Sequence, residues 1–138
     1  MLLTRTLTLQ TDGNCDIIDI TAEVSQRLIE ASINDGLVTV FITGSTAGIT
    51  TIEYEPGVLA DLQQMWQRIV PDNIPYKHDQ TWHDGNGHAH VRASLLGASL
   101  AIPFKDKALL LGTWQQIVVV DFDNRPRTRQ IILQISGD

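Results

Sequence analysis

The stretch His78-Asp79-Gln80-Thr81-Trp82-His83-Asp84-Gly85-Asn86-Gly87-His88-Ala89-His90-Val91-Arg92-Ala93-Ser94-Leu95-Leu96 decides how this chain is read. Its first part holds all 4 histidines of the protein, and its second part is rich in apolar residues. Read as extended backbone, His88 and His90 leave one face with Cα atoms roughly 6.5–7 Å apart, a separation suited to two ligands converging on one ion. Gly85-Asn86-Gly87 permits positive φ and a tight reversal, which folds His78 or His83 back toward that pair.

Three chemistries fit these residue types. In the first, neutral imidazoles of His78, His88 and His90 hold a divalent metal, zinc foremost, while Asp79 or Asp84 ligates it or orients a ring. In the second, the stretch is a polar loop whose histidines only donate and accept hydrogen bonds. In the third, His78 or His90 is a general acid–base and no metal is needed.

Downstream, everything after Gly87 reads as β. Val91–Ile102 is an extended apolar segment interrupted at Gly97, where a bulge or a close backbone approach is expected. Lys105-Asp106-Lys107 makes a hairpin tip, Leu109–Leu111 returns, Gln116–Phe122 is a valine-rich strand, and Asp123-Asn124-Arg125-Pro126 turns into a strand over Arg127–Ile135.

Upstream, Leu3–Leu9 alternates leucine with Thr and Arg as a half-buried strand does, and Asp12-Gly13-Asn14 leads into a second strand over Cys15–Ile20, an opening hairpin. Thr21 is placed to cap a helix over Ala22–Asn34. Leu37–Thr43 is apolar on both faces and reads as a central strand covered on each side. Between it and a strand at Ile49–Tyr54, Gly44-Ser45-Thr46-Ala47-Gly48 is either a plain turn or a place where Ser45 and Thr46 meet an anion. Val58, Leu62, Met65, Trp66 and Ile69 recur at helical spacing until Pro71. The result is an α+β fold, β-sandwich-like, with mostly antiparallel sheets and two helices, in one domain over residues 1–138.

A net charge of −6 speaks against non-specific attraction to nucleic acid or an anionic membrane. A lone cysteine, Cys15, allows no intrachain disulfide, and no stretch approaches a membrane span, so a cytoplasmic location is expected.

The string from His78 through Gly85-Asn86-Gly87-His88-Ala89-His90-Val91-Arg92-Ala93-Ser94-Leu95-Leu96-Gly97-Ala98-Ser99, then Pro103, Leu111-Gly112-Thr113-Trp114-Gln115 and Pro126-Arg127, resembles the YjbQ family. Its members are named as secondary thiamine-phosphate synthases. The resemblance implies a homotrimer with polar pockets near subunit contacts. It also implies a weak ability to join hydroxymethylpyrimidine pyrophosphate to thiazole phosphate, a step whose leaving pyrophosphate needs stabilising by a divalent ion or by arginine. Alternatives are a non-catalytic metal- or metabolite-binding trimer and a metal-dependent hydrolase of a phosphorylated small molecule with Glu53 as base.

Residue by residue, His78 and His90 match the family's histidines and Glu53 its acidic residue, which makes these the catalytic candidates. Arg127 is an anion contact, or a surface salt-bridge partner. Trp114 is a pocket wall, and Gln115 bonds either substrate or buried backbone. One departure stands out. Many relatives have His-Thr-Thr-Ala or His-Thr-Ser-Ala where this chain has Gly44-Ser45-Thr46-Ala47.

Overall fold

The computed structural model describes residues 1–138, with twelve elements in chain order: β1 (Leu2–Thr11), β2 (Asp16–Asp19), α1 (Thr21–Glu30), β3 (Gly36–Ile42), β4 (Ala47–Ile52), α2 (Pro56–Ile69), α3 (Lys77–Trp82), α4 (Gly87–Leu96), β5 (Ser99–Lys105), β6 (Ala108–Leu109), β7 (Gln116–Asp121) and β8 (Arg127–Gly137). The strands form a five-stranded sheet, ordered β1-β8-β3-β5-β6, and a three-stranded sheet, β2-β7-β4. Every pairing is antiparallel. This is an α+β fold, and no helix is long and apolar enough to cross a membrane.

Two apolar cores separate three layers. Val38, Val40, Ile42, Ile131, Leu133 and Ile135 of the large sheet meet Ile49, Ile117 and Val119 of the small one, with Val24 and Leu28 of α1 in the same core. On the far side of the small sheet, Ile17, Val118, Val120 and Phe122 pack under Trp66 of α2 and Ala89 and Ala93 of α4. Trp66 meets Phe122 edge to face at 4.9 Å. Strand β7 is therefore sandwiched, and all of Ile117–Val120 is buried. That double covering is why its sequence is an unbroken apolar run.

The same reasoning misplaces β3. It lies between β8 and β5, but only alternate residues point inward, and Leu37 and Phe41 remain 47% and 42% exposed. Its expected second cover is absent from the chain itself. The opening hairpin is also corrected: β1 pairs with β8 and β2 with β7, so the two strands belong to different sheets. The chain changes sheet through Gly13, Asn14 and Cys15, all at positive φ. A Cβ on Gly13 would lie 2.5 Å from the Asp123 carbonyl oxygen, so this crossing needs glycine.

Two further helices lie where extended or irregular backbone is expected. α3 occupies part of the long connection after Pro71, and α4 replaces the β reading of the segment after Gly87. In α4, Ala89 and Ala93 stand four apart and press a small-residue face onto the small sheet. Close approach is visible at Gly48, where a Cβ would sit 2.7 Å from both the Gly97 carbonyl oxygen and a Leu96 methyl. Gly97 (φ 97°) ends the helix, its N–H donating to the Ala93 carbonyl at 2.9 Å. At the start of α2, Glu55 caps the Gly57 and Val58 amides at 2.8 Å each, with Pro56 in the first turn.

Candidate metal and anion site

The site is assembled at one end of the sandwich, where β7 and β8 run out of apolar residues. Arg129 of β8 donates to both oxygens of Asp121, Nε at 2.7 Å and Nη2 at 2.9 Å. Nη2 also bonds the Thr46 hydroxyl oxygen at 2.6 Å, and that hydroxyl donates to Asp123 at 2.9 Å. Thr11 donates to Asp121 at 2.6 Å from the other sheet. Asp121 and Asp123 are fully buried, so the cost of removing these carboxylates from water is offset by paired charges and hydrogen bonds. Burial alone pushes the Asp123 carboxyl up, but hydrogen bonds from Asn86, Thr46 and Arg127 outweigh it and hold the group below the usual carboxylate range.

Above this seal sit α3 and α4. Gly85 (φ 68°) turns the chain between them, and the rings of His78 and His90 lie 4.3 Å apart, centroid to centroid. His78 Nδ1 is 3.4 Å from an Asp84 oxygen and 3.7 Å from an Asp79 oxygen. It is buried yet makes no hydrogen bond. The two carboxylates are held by the backbone, Asp79 by the Gly87 amide at 2.9 Å and Asp84 by the Asn86 amide at 3.1 Å. Burial and the neighbouring His78 push the His90 imidazole below its ordinary pKa, so its neutral, ligating form is favoured.

Ligand atoms of His78, Asp79 and Asp84 all fall within 4.8 Å of one another. Ligands at about 2.0–2.2 Å from a shared zinc-sized ion lie about 3–4 Å apart, a spacing matched by the 3.4 and 3.7 Å from His78 Nδ1 to Asp84 and Asp79. An imidazole with mixed carboxylates suits zinc, manganese or iron.

The expected triad of His78, His88 and His90 is corrected on one member. Helical neighbours two apart diverge by about 200°, and His88 is buried on the opposite flank of α4, toward Tyr76. His83, at φ 56°, ends α3 and is exposed. Ser45 is exposed at the rim, its backbone beside His90, and Thr46 is engaged by Arg129 and Asp123. Arg127 spends Nε on Asp123 at 2.9 Å, and its Nη groups have no protein acceptor.

Glu53, Trp114 and Gln115 are elsewhere. Thr46 and Glu53 flank β4 at opposite ends, seven residues and about 23 Å of strand apart. Glu53 and Trp114 share a separate cleft of about 480 Å³ with Asp19 and Glu55, and Trp114 is 72% exposed. Gln115 holds Thr51 at 3.1 Å and accepts from the Gly112 amide at 3.1 Å. Asp121, Asp123 and Asn86 escape the sequence reading because turn-like spelling hides them. The alternation Asp121, Asp123, Arg125, Arg127, Arg129 is the signal that was available.

The family model described as UPF0047 protein YjbQ-like matches residues 5–138. The chain belongs to this family. A UPF0047 protein of Archaeoglobus fulgidus is 41% identical over 128 residues, 93% of this chain and 97% of the relative. The UPF0047 protein YugU of Bacillus subtilis is 35% identical over 96% of this chain and 98% of its own. Among solved structures, a Sulfolobus solfataricus protein described as YbjQ-like and of unknown function superposes with a TM-score of 0.93 at 30% identity, over 100% of this chain and 99% of that one. A YjbQ/UPF0047 protein of Clostridium acetobutylicum gives 0.87 at 36% identity, over 96% of this chain and 99% of that one.

Proposed function

We propose that this family member is a small-ligand enzyme that binds a phosphorylated substrate beside a divalent cation held by His78, Asp79 and Asp84, with His90 as a fourth donor. The observation that carries this reading is His78 Nδ1, buried without a hydrogen bond and flanked by carboxylate oxygens at 3.4 and 3.7 Å. A buried polar atom left unsatisfied in this way costs stability unless something occupies it. The reaction is of the thiamine-phosphate synthase type. The thiazole nitrogen attacks the pyrimidine methylene carbon, the new N–C bond forms as the C–O bond breaks, and pyrophosphate leaves with the electron pair.

A divalent ion at this position supplies charge neutralisation for the departing pyrophosphate. Arg127, with its Nη groups free of protein acceptors, binds a phosphoryl oxygen in the same place. The Ser45 backbone lines the rim beside His90. Arg129 positions rather than binds, since Asp121 and Thr46 already occupy it. Glu53 and Trp114, about 23 Å away along β4, belong to this centre only if a second copy of the chain brings them, which agrees with a homotrimer.

Calorimetric titration with zinc and manganese, beside an assay of pyrophosphate release from the two thiamine precursors, tests the proposal. Binding at about one equivalent that is lost in His78→Ala and Asp84→Asn, with product above the level of His90→Ala, is the expected result. Product without any bound metal would remove the cation from the reading. Bound metal without turnover would leave a binding protein, the alternative favoured by Gly44 where the family resemblance expects histidine.

A further inference from the structure

The chain buries two arginines, and only one of them is directly paired with a carboxylate. Arg129 is neutralised by Asp121. Arg92 is 4% exposed and has no carboxylate within ion-pairing distance among the protein's salt bridges. Its Nε donates to the Val70 carbonyl at 2.9 Å, its Nη2 to Gln67 Oε1 at 2.6 Å, and its guanidinium lies 5.8 Å from the centre of the Phe122 ring. Nη1 has no protein acceptor.

That guanidinium lines a cavity of about 280 Å³ on the flank of α4 turned away from His90. Asn14, Cys15, Gln63, Gln67, Asp72 and His88 complete the wall, and Cys15 is the one hydrophobic residue among them. His88, four residues before Arg92, is 7% exposed and lines the same space, its ring hydrogen-bonded to the Gly85 backbone and to no side chain. Gln63 and Gln67 are tied down, the first to the Cys15 carbonyl at 3.1 Å and the second to Asp72 at 2.9 Å, so the wall is fixed.

A buried guanidinium without a carboxylate is costly, whereas one that meets an anion in a polar cavity forms strong charge-assisted bonds. We propose that this cavity is a second ligand site, separate from the His78 centre, that takes a small hydroxy- or amino-carboxylate. Its carboxylate sits on Arg92 Nη1, and its hydroxyl or ammonium faces Asp72 and His88. The carboxylate class follows from charge. One guanidinium opposed by the nearby Asp72 favours a monoanion carrying its own donor over a doubly charged phosphate. The volume, at the low end of ligand pockets, limits the guest to a few heavy atoms beyond the head group.

The test is a titration of nitrogen-15-labelled protein with lactate, glycine and inorganic phosphate, followed by NMR at the Arg92 Nε–H and the backbone amides of His88 and Gln67. Saturable shifts with lactate or glycine, at a Kd of about 1 mM or tighter, are expected. They persist in His90→Ala and weaken about tenfold or more in Arg92→Gln. If Arg92→Gln does not fold, His88→Gln carries the comparison and lowers affinity in the same direction. Absence of saturation with both carboxylates overturns the site. Shifts that disappear in His90→Ala assign the binding to the other centre, and saturation by phosphate alone overturns the ligand class.

Discussion

A Cβ on residue 44 would lie 2.7 Å from Arg129 Nη1. Gly44 also holds φ at 106°, a backbone conformation that side chains with a Cβ rarely adopt. The histidine that the family resemblance expects here has thus given its room to a guanidinium. That guanidinium is locked onto Asp121 and Thr46 and cannot easily withdraw.

Restoring histidine should therefore harm the fold before it helps the chemistry. Gly44→His is expected to destabilise by about 1–3 kcal/mol through backbone strain and displacement of Arg129. Denaturant unfolding of the two proteins measures it. A variant as stable as the parent would mean that Arg129 has another place to go.

The Asp121–Arg129 pair makes a sharper case. With Asp121 fully buried and the Arg129 side chain 8% exposed, removing one partner leaves the other charge in a low dielectric. Arg129→Met is expected to cost about 3–5 kcal/mol, whereas Arg127→Met, which removes a half-exposed guanidinium and leaves the buried Asp123 held by Thr46 and by Arg129 at 3.8 Å, should cost about 1–2 kcal/mol. Equal losses for both would show that the buried network is not what seals this end of the sandwich.

Much of the fold is legible in the sequence because alternation and apolar runs report burial directly. β1, β7 and β8 lie close to where their periodicity puts them, and Pro56 and Pro71 bracket α2. The segment after Gly87 is not, because His88 to His90 fits a two-residue repeat as well as a helical one. Ala89, Ala93 and Leu96, followed by Gly97, were the discriminating signs. That one choice moved His88 out of the candidate site and left His78 and His90 in it. The carboxylate network was hidden for a different reason: aspartates in Asp-Phe-Asp-Asn-Arg-Pro are spelled like a turn, and only three-dimensional closure shows that two of them are buried.

Burial raises the Cys15 thiol to about 11, although Arg92 nearby acts to lower it. At pH 8 about one thiol in a thousand is then ionised, so the folded protein should resist iodoacetamide at a pH where the unfolded chain, with an ordinary cysteine pKa of about 8.5, is alkylated readily. Mass spectrometry after timed labelling, with and without denaturant, reads the difference. Comparable rates in the two states would contradict the packing of Cys15 against α2 and α4.

His88 gives stability a pH slope. Burial, with Arg92 adding to it, holds its folded pKa below the ordinary 6.5, so the unfolded chain binds the proton more readily than the folded one. The contribution is whole above about pH 6.5 and is lost as pH falls toward the folded value. His88→Gln is accordingly expected to flatten the loss of stability between about pH 7 and pH 5, as read by urea midpoints across that window. An unchanged slope would place the titrating group elsewhere.

The outward face of the large sheet is suited to contact between copies of the chain, as the proposed homotrimer requires. Thr4, Thr6, Thr8, Thr39, Gln130 and Gln134 surround Leu37, Phe41, Ile132, Ala101 and Pro103, and the one charge beside them, Lys105, stands at the end of β5. Interface cores are depleted of charge in this manner, and solvent-facing sheets usually are not. Phe41 pairs with Ile132 across β3 and β8 near the middle of this face. A charge placed there meets apolar surface in an assembly and water in a monomer. Phe41→Glu should therefore shift sedimentation from trimer toward monomer while the monomer keeps its fold, because Phe41 is not in the core. A parent that already sediments as a monomer, or a Phe41→Glu protein that remains trimeric, would show that copies of the chain do not meet on this sheet.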